Sequence, residues 1–171
     1  MDKRQQTKLL DEWLDRHCGI IFKVVRAYAF ETFDQDDLFQ EIVVQLWKSI
    51  PRFKSDCSEP TWIYRVALNA ALNWSKKERK HRKRETLSAD MEMLLNRPPP
   101  RKSHHPKLEW LYDQIGQMNE IDRSVTLLLL EGYSYREISG ILGITESNVG
   151  VKINRIKKRL SSASEQEGKD A

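Results

Sequence analysis

From Ser147 to Leu160 the chain reads SNVGVKINRIKKRL, and no His, Cys, Asp or Glu occurs in it. The stretch therefore lacks the common bases and metal ligands of enzyme sites. Its chemistry is ionic and hydrogen-bonding. Lys152, Arg155 and Lys158 suit phosphates, while the short polar groups of Ser147, Asn148 and Asn154, on one arc with Val151, suit base edges. A second cationic stretch, KKERKHRKR at 76–84, sets seven Lys or Arg against one Glu. It follows TWIYRVALNAALNW, where Trp62, Tyr64, Arg65, Asn69 and Asn73 cluster. Aromatic rings and Asn amides suit unpaired bases, by stacking and by edge hydrogen bonds. Lys76, Lys77 and Arg79 then stand where they would hold the sugar–phosphate backbone. The plainer reading of Trp62 and Tyr64 is core packing, because large aromatics are mostly buried.

The segment DQDDLFQE, residues 34–41, has the opposite charge, with four carboxylates in eight residues. Carboxylates at a helix start are common partners of the helix dipole, and no His lies near, so a metal site is a poor reading. Asp37 and Glu41 share one side of a helix, with Gln40 and Gln45 nearby, which fits a face that docks on another protein. Enzyme chemistry finds little else to use. His17, His81, His104 and His105 have no metal-ligand spacing, and no Gly-rich phosphate loop, GxSxG or HExxH occurs. Cys18 and Cys57 stand alone and read as two reduced thiols. Neither catalysis nor a cofactor is expected.

The elements that must position these residues are helical. The 171 residues are 32% charged, with only 7 Gly and a net charge of +4, which favours an all-α chain over a sheet. Apolar residues recur at helical spacing from residue 7 to about 31, with a break or bend expected at Cys18-Gly19. A second helix starts near Asp34, carries Leu38, Ile42 and Leu46, and ends at Pro51. A third opens at Pro60-Thr61 with an expected apolar face of Ile63, Val66, Ala67, Ala70, Ala71 and Trp74. Trp62, Arg65, Asn69 and Asn73 fall opposite. Residues 86–106 lose periodicity and include three consecutive prolines, which reads as a flexible linker. Beyond Lys107 two helices precede SYREISGILGITESNVG. There Ser134 and Glu137 form a capping box, Gly143 supplies a turn, and Thr145 caps the next helix. The expected architecture is two small helical domains, 7–85 and 107–161, the second a helix-turn-helix. The ordinary alternative for that motif is a helical hairpin with a solvated charged face. No apolar window approaches the ~20 residues of a membrane span, and the charged N-terminus is no signal peptide, so a cytoplasmic protein without membrane insertion is expected.

The order DQDDLFQEIVVQLWKSIPRF, then TWIYRVALNAALNWSKKERK, then a linker and a helix-turn-helix resembles the sigma-70 family. The two-domain layout is similar to its extracytoplasmic-function group. The resemblance implies a factor that binds core RNA polymerase and directs it to promoter DNA by the −10 and −35 elements, often under an anti-sigma protein. It implies that Asp34, Asp37, Gln40, Glu41 and Trp47 lie on the segment that docks on polymerase. Trp62, Tyr64, Arg65, Asn69, Asn73, Lys76, Lys77 and Arg79 match the part that recognises and opens the −10 element. Thr145, Ser147, Asn148, Val151, Lys152, Asn154, Arg155 and Lys158 match the helix that reads −35. Two departures stand out. Gly150 occupies a position where many members carry Lys or Arg, and QMNEIDR replaces a common Leu-Pro start. The competing reading is a helix-turn-helix regulator that acts without polymerase, which leaves residues 34–84 without a purpose.

Overall fold

The computed structural model describes the backbone of residues 2–85 and 105–170 and the side chains of residues 2–78 and 105–166. The expected linker, apart from His105 and Pro106, lies outside the described residues. Among these there are seven α-helices and no strand, and no helix is long and apolar enough to cross a membrane. The chain divides into two units at Pro106/Lys107.

In the N-terminal unit, α1 (Lys3–Tyr28) buries Leu10, Trp13, Ile20, Ile21, Val24, Val25 and Tyr28, a stripe at helical spacing. The helix runs unbroken through Cys18-Gly19, against the expected bend. Gly19 weakens a helix interior by only about 1 kcal/mol, and the apolar residues on either side outweigh that. Helix α2 (Thr32–Ser49) buries Leu38, Ile42 and Leu46 completely, one turn apart. A 3-10 turn, Ile50–Arg52, carries Pro51 at its start and ends the run. Helix α3 (Glu59–Glu85) then packs on both predecessors.

The face that α3 buries differs from the expected one. Ile63, Tyr64, Ala67, Leu68, Ala70 and Ala71 are buried, whereas Val66 and Trp74 are only half-buried. The helical period is compatible with either stripe. Contact with two helices at once selects the wider one containing Tyr64 and Leu68. Trp62 is held at the edge of this core. Its indole N–H donates to Ser49 Oγ at 3.0 Å, and its ring lies 5.6 Å from that of Phe53, which meets Trp13 edge-on at 5.2 Å. Polar ties complete the unit. Gln6 Nε2 donates to the Trp47 carbonyl at 2.6 Å, and Glu59, at the start of α3, accepts from Arg16 at 3.0 Å and lies 3.3 Å from His17 Nε2.

The C-terminal unit contains α4 (Pro106–Gly116), α5 (Glu120–Leu130), α6 (Tyr135–Leu142) and α7 (Glu146–Asp170). Its core is Ile115, Met118, Val125, Leu127, Leu128, Ile138, Ile141, Val149, Ile153 and Ile156. Helix ends are set by local chemistry. The Asn119 side chain accepts from the Asp122 amide at 2.9 Å, and Arg123 closes the end of α4 by donating to the carbonyls of Met118 and Gly116. Ser134 and Glu137 form the expected capping box, and Gly143 adopts a φ of +69°. Thr145 Oγ1 accepts from the Asn148 amide at 3.1 Å. Helix α7 continues past Ser161 to Asp170.

Candidate nucleic-acid and protein interfaces

Three surfaces gather the singled-out residues. On α2, Asp36, Asp37 and Gln40 are exposed, Asp34 and Trp47 half-buried. Glu41 is half-buried and accepts from Gln45 Nε2 at 2.8 Å, so the amide one turn on fixes the carboxylate's direction. Phe33 and Val44 lie on the same exposed stripe and flank the acidic centre. Leu38, Ile42 and Leu46, wholly buried opposite, determine which way that stripe faces.

The second surface is a groove of about 460 Å³ between α2 and α3, lined by Glu41, Gln45, Arg52, Asn69, Asn73 and Lys77 among others. The fold thus brings Asn69, Asn73, Lys76 and Lys77 together, and it adds Glu41 from the acidic set. Asn69, Asn73, Lys76 and Lys77 are exposed, one and two helical turns apart on α3. Two expectations fail here. Tyr64 is 1% exposed and belongs to the core, so its ring offers no surface to a base. Trp62 is half-buried with its N–H already engaged by Ser49, and Arg65 is half-buried beside it. The side chain of Arg79 lies outside the described residues. Ser49 and Arg52 line the groove without having been singled out, and Val66, expected in the core, lines it too. Their sequence signal was absent, because adjacency across two helices is not a local property.

The third surface is the N-terminal part of α7. Thr145, Ser147, Asn148, Val151, Asn154, Arg155 and Lys158 are exposed, and Val151 reaches 58%. The buried row Val149, Ile153 and Ile156 turns them outward. Lys152 departs from the expected pattern. Its ammonium lies 2.8 Å from Asp122 Oδ1, and its side chain is 14% exposed, because it falls beside the buried row rather than opposite it. Gly150 lies within the continuous α7, and no backbone of another element approaches it closely. A Cβ there would meet only the Tyr135 ring, at 3.6 Å, an ordinary contact. In the capping box, the Ser134 backbone N–H and then its hydroxyl hold the Glu137 carboxyl below its ordinary range.

A helix-turn-helix with a cationic outer face, preceded by a three-helix unit with one acidic and one Asn/Lys-lined surface, defines a two-unit nucleic-acid-binding helical protein. Comparison with known proteins gives the family. A model described as Sigma-70 region 2 matches residues 13–81, and one described as Sigma-70, region 4 matches residues 108–160. The ECF RNA polymerase sigma-E factor of Haemophilus influenzae is 25% identical, covering 94% of this chain and 88% of its own length. The ECF RNA polymerase sigma factor SigX of Bacillus subtilis is 28% identical, over 73% of this chain and 68% of its own. Among solved structures, CnrH in complex with the cytosolic domain of CnrY has a TM-score of 0.65 at 20% identity, covering 96% of this chain and 95% of that one. The sigma factor RpoE from Bartonella quintana, in complex with the anti-sigma factor NepR, has a TM-score of 0.63 at 16% identity, over 91% and 95%. The chain belongs to the sigma-70 family, in its extracytoplasmic-function group.

Proposed function

We infer that the chain is a transcription initiation factor that binds core RNA polymerase and directs it to promoters through −10 and −35 elements. The observation that carries this reading is the order of the matches: a region 2 unit bearing an exposed acidic stripe precedes a region 4 unit bearing a cationic reading helix. A free-standing helix-turn-helix regulator has no use for the first unit.

The division of labour follows from the surfaces. Residues 7–85 form the polymerase-docking and −10 domain, and residues 107–161 the −35 domain, with 86–106 joining them. Asp37, Gln40 and Glu41, supported by Asp34 and Trp47, dock on polymerase. Asn69 and Asn73 face the opened −10 strand, with Lys76, Lys77 and Arg79 on its backbone, while Trp62 stands behind the groove residue Ser49. Unstacking a base costs a few kcal/mol, which these contacts offset once the strand is captured. Thr145, Ser147, Asn148, Val151 and Asn154 read the −35 major groove, and Arg155 and Lys158 hold its phosphates. Bond-making belongs to the polymerase, so this subunit acts without catalysis or a cofactor, in the cytoplasm where its partner works. Solved relatives bound to an anti-sigma factor or to a cytosolic domain support a protein inhibitor as a further partner.

Run-off transcription with core polymerase on a genomic fragment library tests the assignment. Defined new start sites are expected, and their absence overturns it. The docking role is tested separately by reversing charge, with Asp37→Arg plus Glu41→Arg. Co-purification with core polymerase should be lost, and retention at the native level removes the acidic stripe from the interface.

A further inference from the structure

Among the described residues Asp122 is an acidic side chain paired with the reading helix, and nothing in the roles above uses it. It sits in the first turn of α5, beside the N-cap Asn119. Its carboxylate is 14% exposed. Oδ1 accepts from Lys152 Nζ at 2.8 Å, and Oδ2 accepts from Asn119 Nδ2 at 2.8 Å. On the far side of Oδ2, an Arg155 guanidinium nitrogen stands at 3.9 Å, with that side chain 64% exposed. Two cations of one helix thus converge on one carboxylate, one fully captured and one at the edge of reach.

We propose that Asp122 competes with DNA phosphate for Lys152 and Arg155, and so sets how tightly α7 engages a duplex. The proposal rests on the reading of α7 as the DNA-facing helix. A carboxylate and a phosphate offer a cation the same kind of acceptor, two or more oxygens sharing negative charge. The Lys152–Asp122 pair is shielded from solvent, so the attraction is stronger than in an exposed pair. The lysine stem is long and flexible. Once the carboxylate is neutral, nothing on α5 holds the ammonium in, and it is free to swing toward solvent and phosphate. Arg155, exposed and only loosely held, divides its charge between the protein and the DNA. Among the described residues no acidic side chain faces Lys157, Lys158 or Arg159 on the same helix, and Arg159 donates to Gln117.

The expected consequence is electrostatic and independent of base sequence. Each phosphate newly neutralised adds about −0.9 to the slope of log affinity against log salt. The test uses the full chain and a fluorescein-labelled duplex of mixed sequence, with affinity followed by anisotropy over a salt series. Asp122→Asn should bind more tightly at low salt, on the order of tenfold, with a slope steeper by about one to two. Asp122→Glu, which keeps the charge, should stay at the native slope. In the Asp122→Asn background, adding Lys152→Met should remove about one unit of slope, more than Lys152→Met removes from the native chain. If Asp122→Asn fails to fold by circular dichroism, Asp122→Ser, neutral and suited to a first helical turn, repeats the measurement. Native slope in the folded neutral variant, or equal change in the Asn and Glu variants, overturns the proposal while leaving the reading of α7 intact. Failure of the native chain to bind the duplex at all overturns both.

Discussion

The two units hold their functional surfaces by different means. In the N-terminal unit, helices α1, α2 and α3 share one core, and the direction of each exposed face depends on what the other two bury. In the C-terminal unit, the reading helix is delimited by its own neighbours in sequence: a capping box at Ser134 and Glu137, a left-handed Gly143, and a cap at Thr145. The first surface is a product of packing among three helices, and the limits of the second are set by local hydrogen bonding. Substitutions should therefore act through the core in one unit and through helix ends in the other.

The largest expected effect lies in the N-terminal core. Tyr64→Ala should destabilise that unit by about 3–5 kcal/mol, since an aromatic buried between helices leaves a cavity. Asn69→Ala, exposed on the same helix, should leave stability within about 0.5 kcal/mol and impair strand opening instead. Hydrogen exchange resolves the units for stability, and permanganate footprinting reads opening. Unchanged exchange in Tyr64→Ala would return Tyr64 to the DNA surface and erase the contrast.

Helix ends in the C-terminal unit come next. Gly143→Ala places a Cβ at a φ of +69° and should cost about 1–2 kcal/mol. Ser134→Ala should cost about 1 kcal/mol through loss of the cap. The capping box also carries a pH dependence. The Glu137 carboxyl lies below its ordinary value of 4.5, chiefly through the Ser134 backbone N–H. Its contribution is fully present above that value and is lost as pH falls through the lowered one. Glu137→Gln should flatten this acid limb in melting curves of the C-terminal unit, and an identical limb in the variant would discount the box.

The smallest effect has the opposite sign. Gly150→Ala should stabilise α7 by about 0.5–1 kcal/mol, because φ is ordinary there and the new methyl meets only the Tyr135 ring at 3.6 Å. Guanidinium melts compare it with Gly143→Ala. Loss of stability at both glycines would mean that position 150 serves close packing after all.

What the sequence determined by itself was local. The capping box at Ser134 and Glu137, the turn at Gly143 and the cap at Thr145 each depend on residues within two turns of one another, so spacing alone revealed them. The same holds for the alternation of acidic and basic segments that led to the family. Only the tertiary structure decided matters that depend on distant partners. Tyr64 and Leu68 entered the core because α1 and α2 press on α3 together, and the 3.6-residue period cannot distinguish two overlapping stripes on one helix. Lys152 is drawn away from the exposed face of α7 because Asp122, thirty positions away, reaches it across the unit. Charge is written in the sequence residue by residue, but which charges remain free for a ligand is settled by what the fold sets beside them.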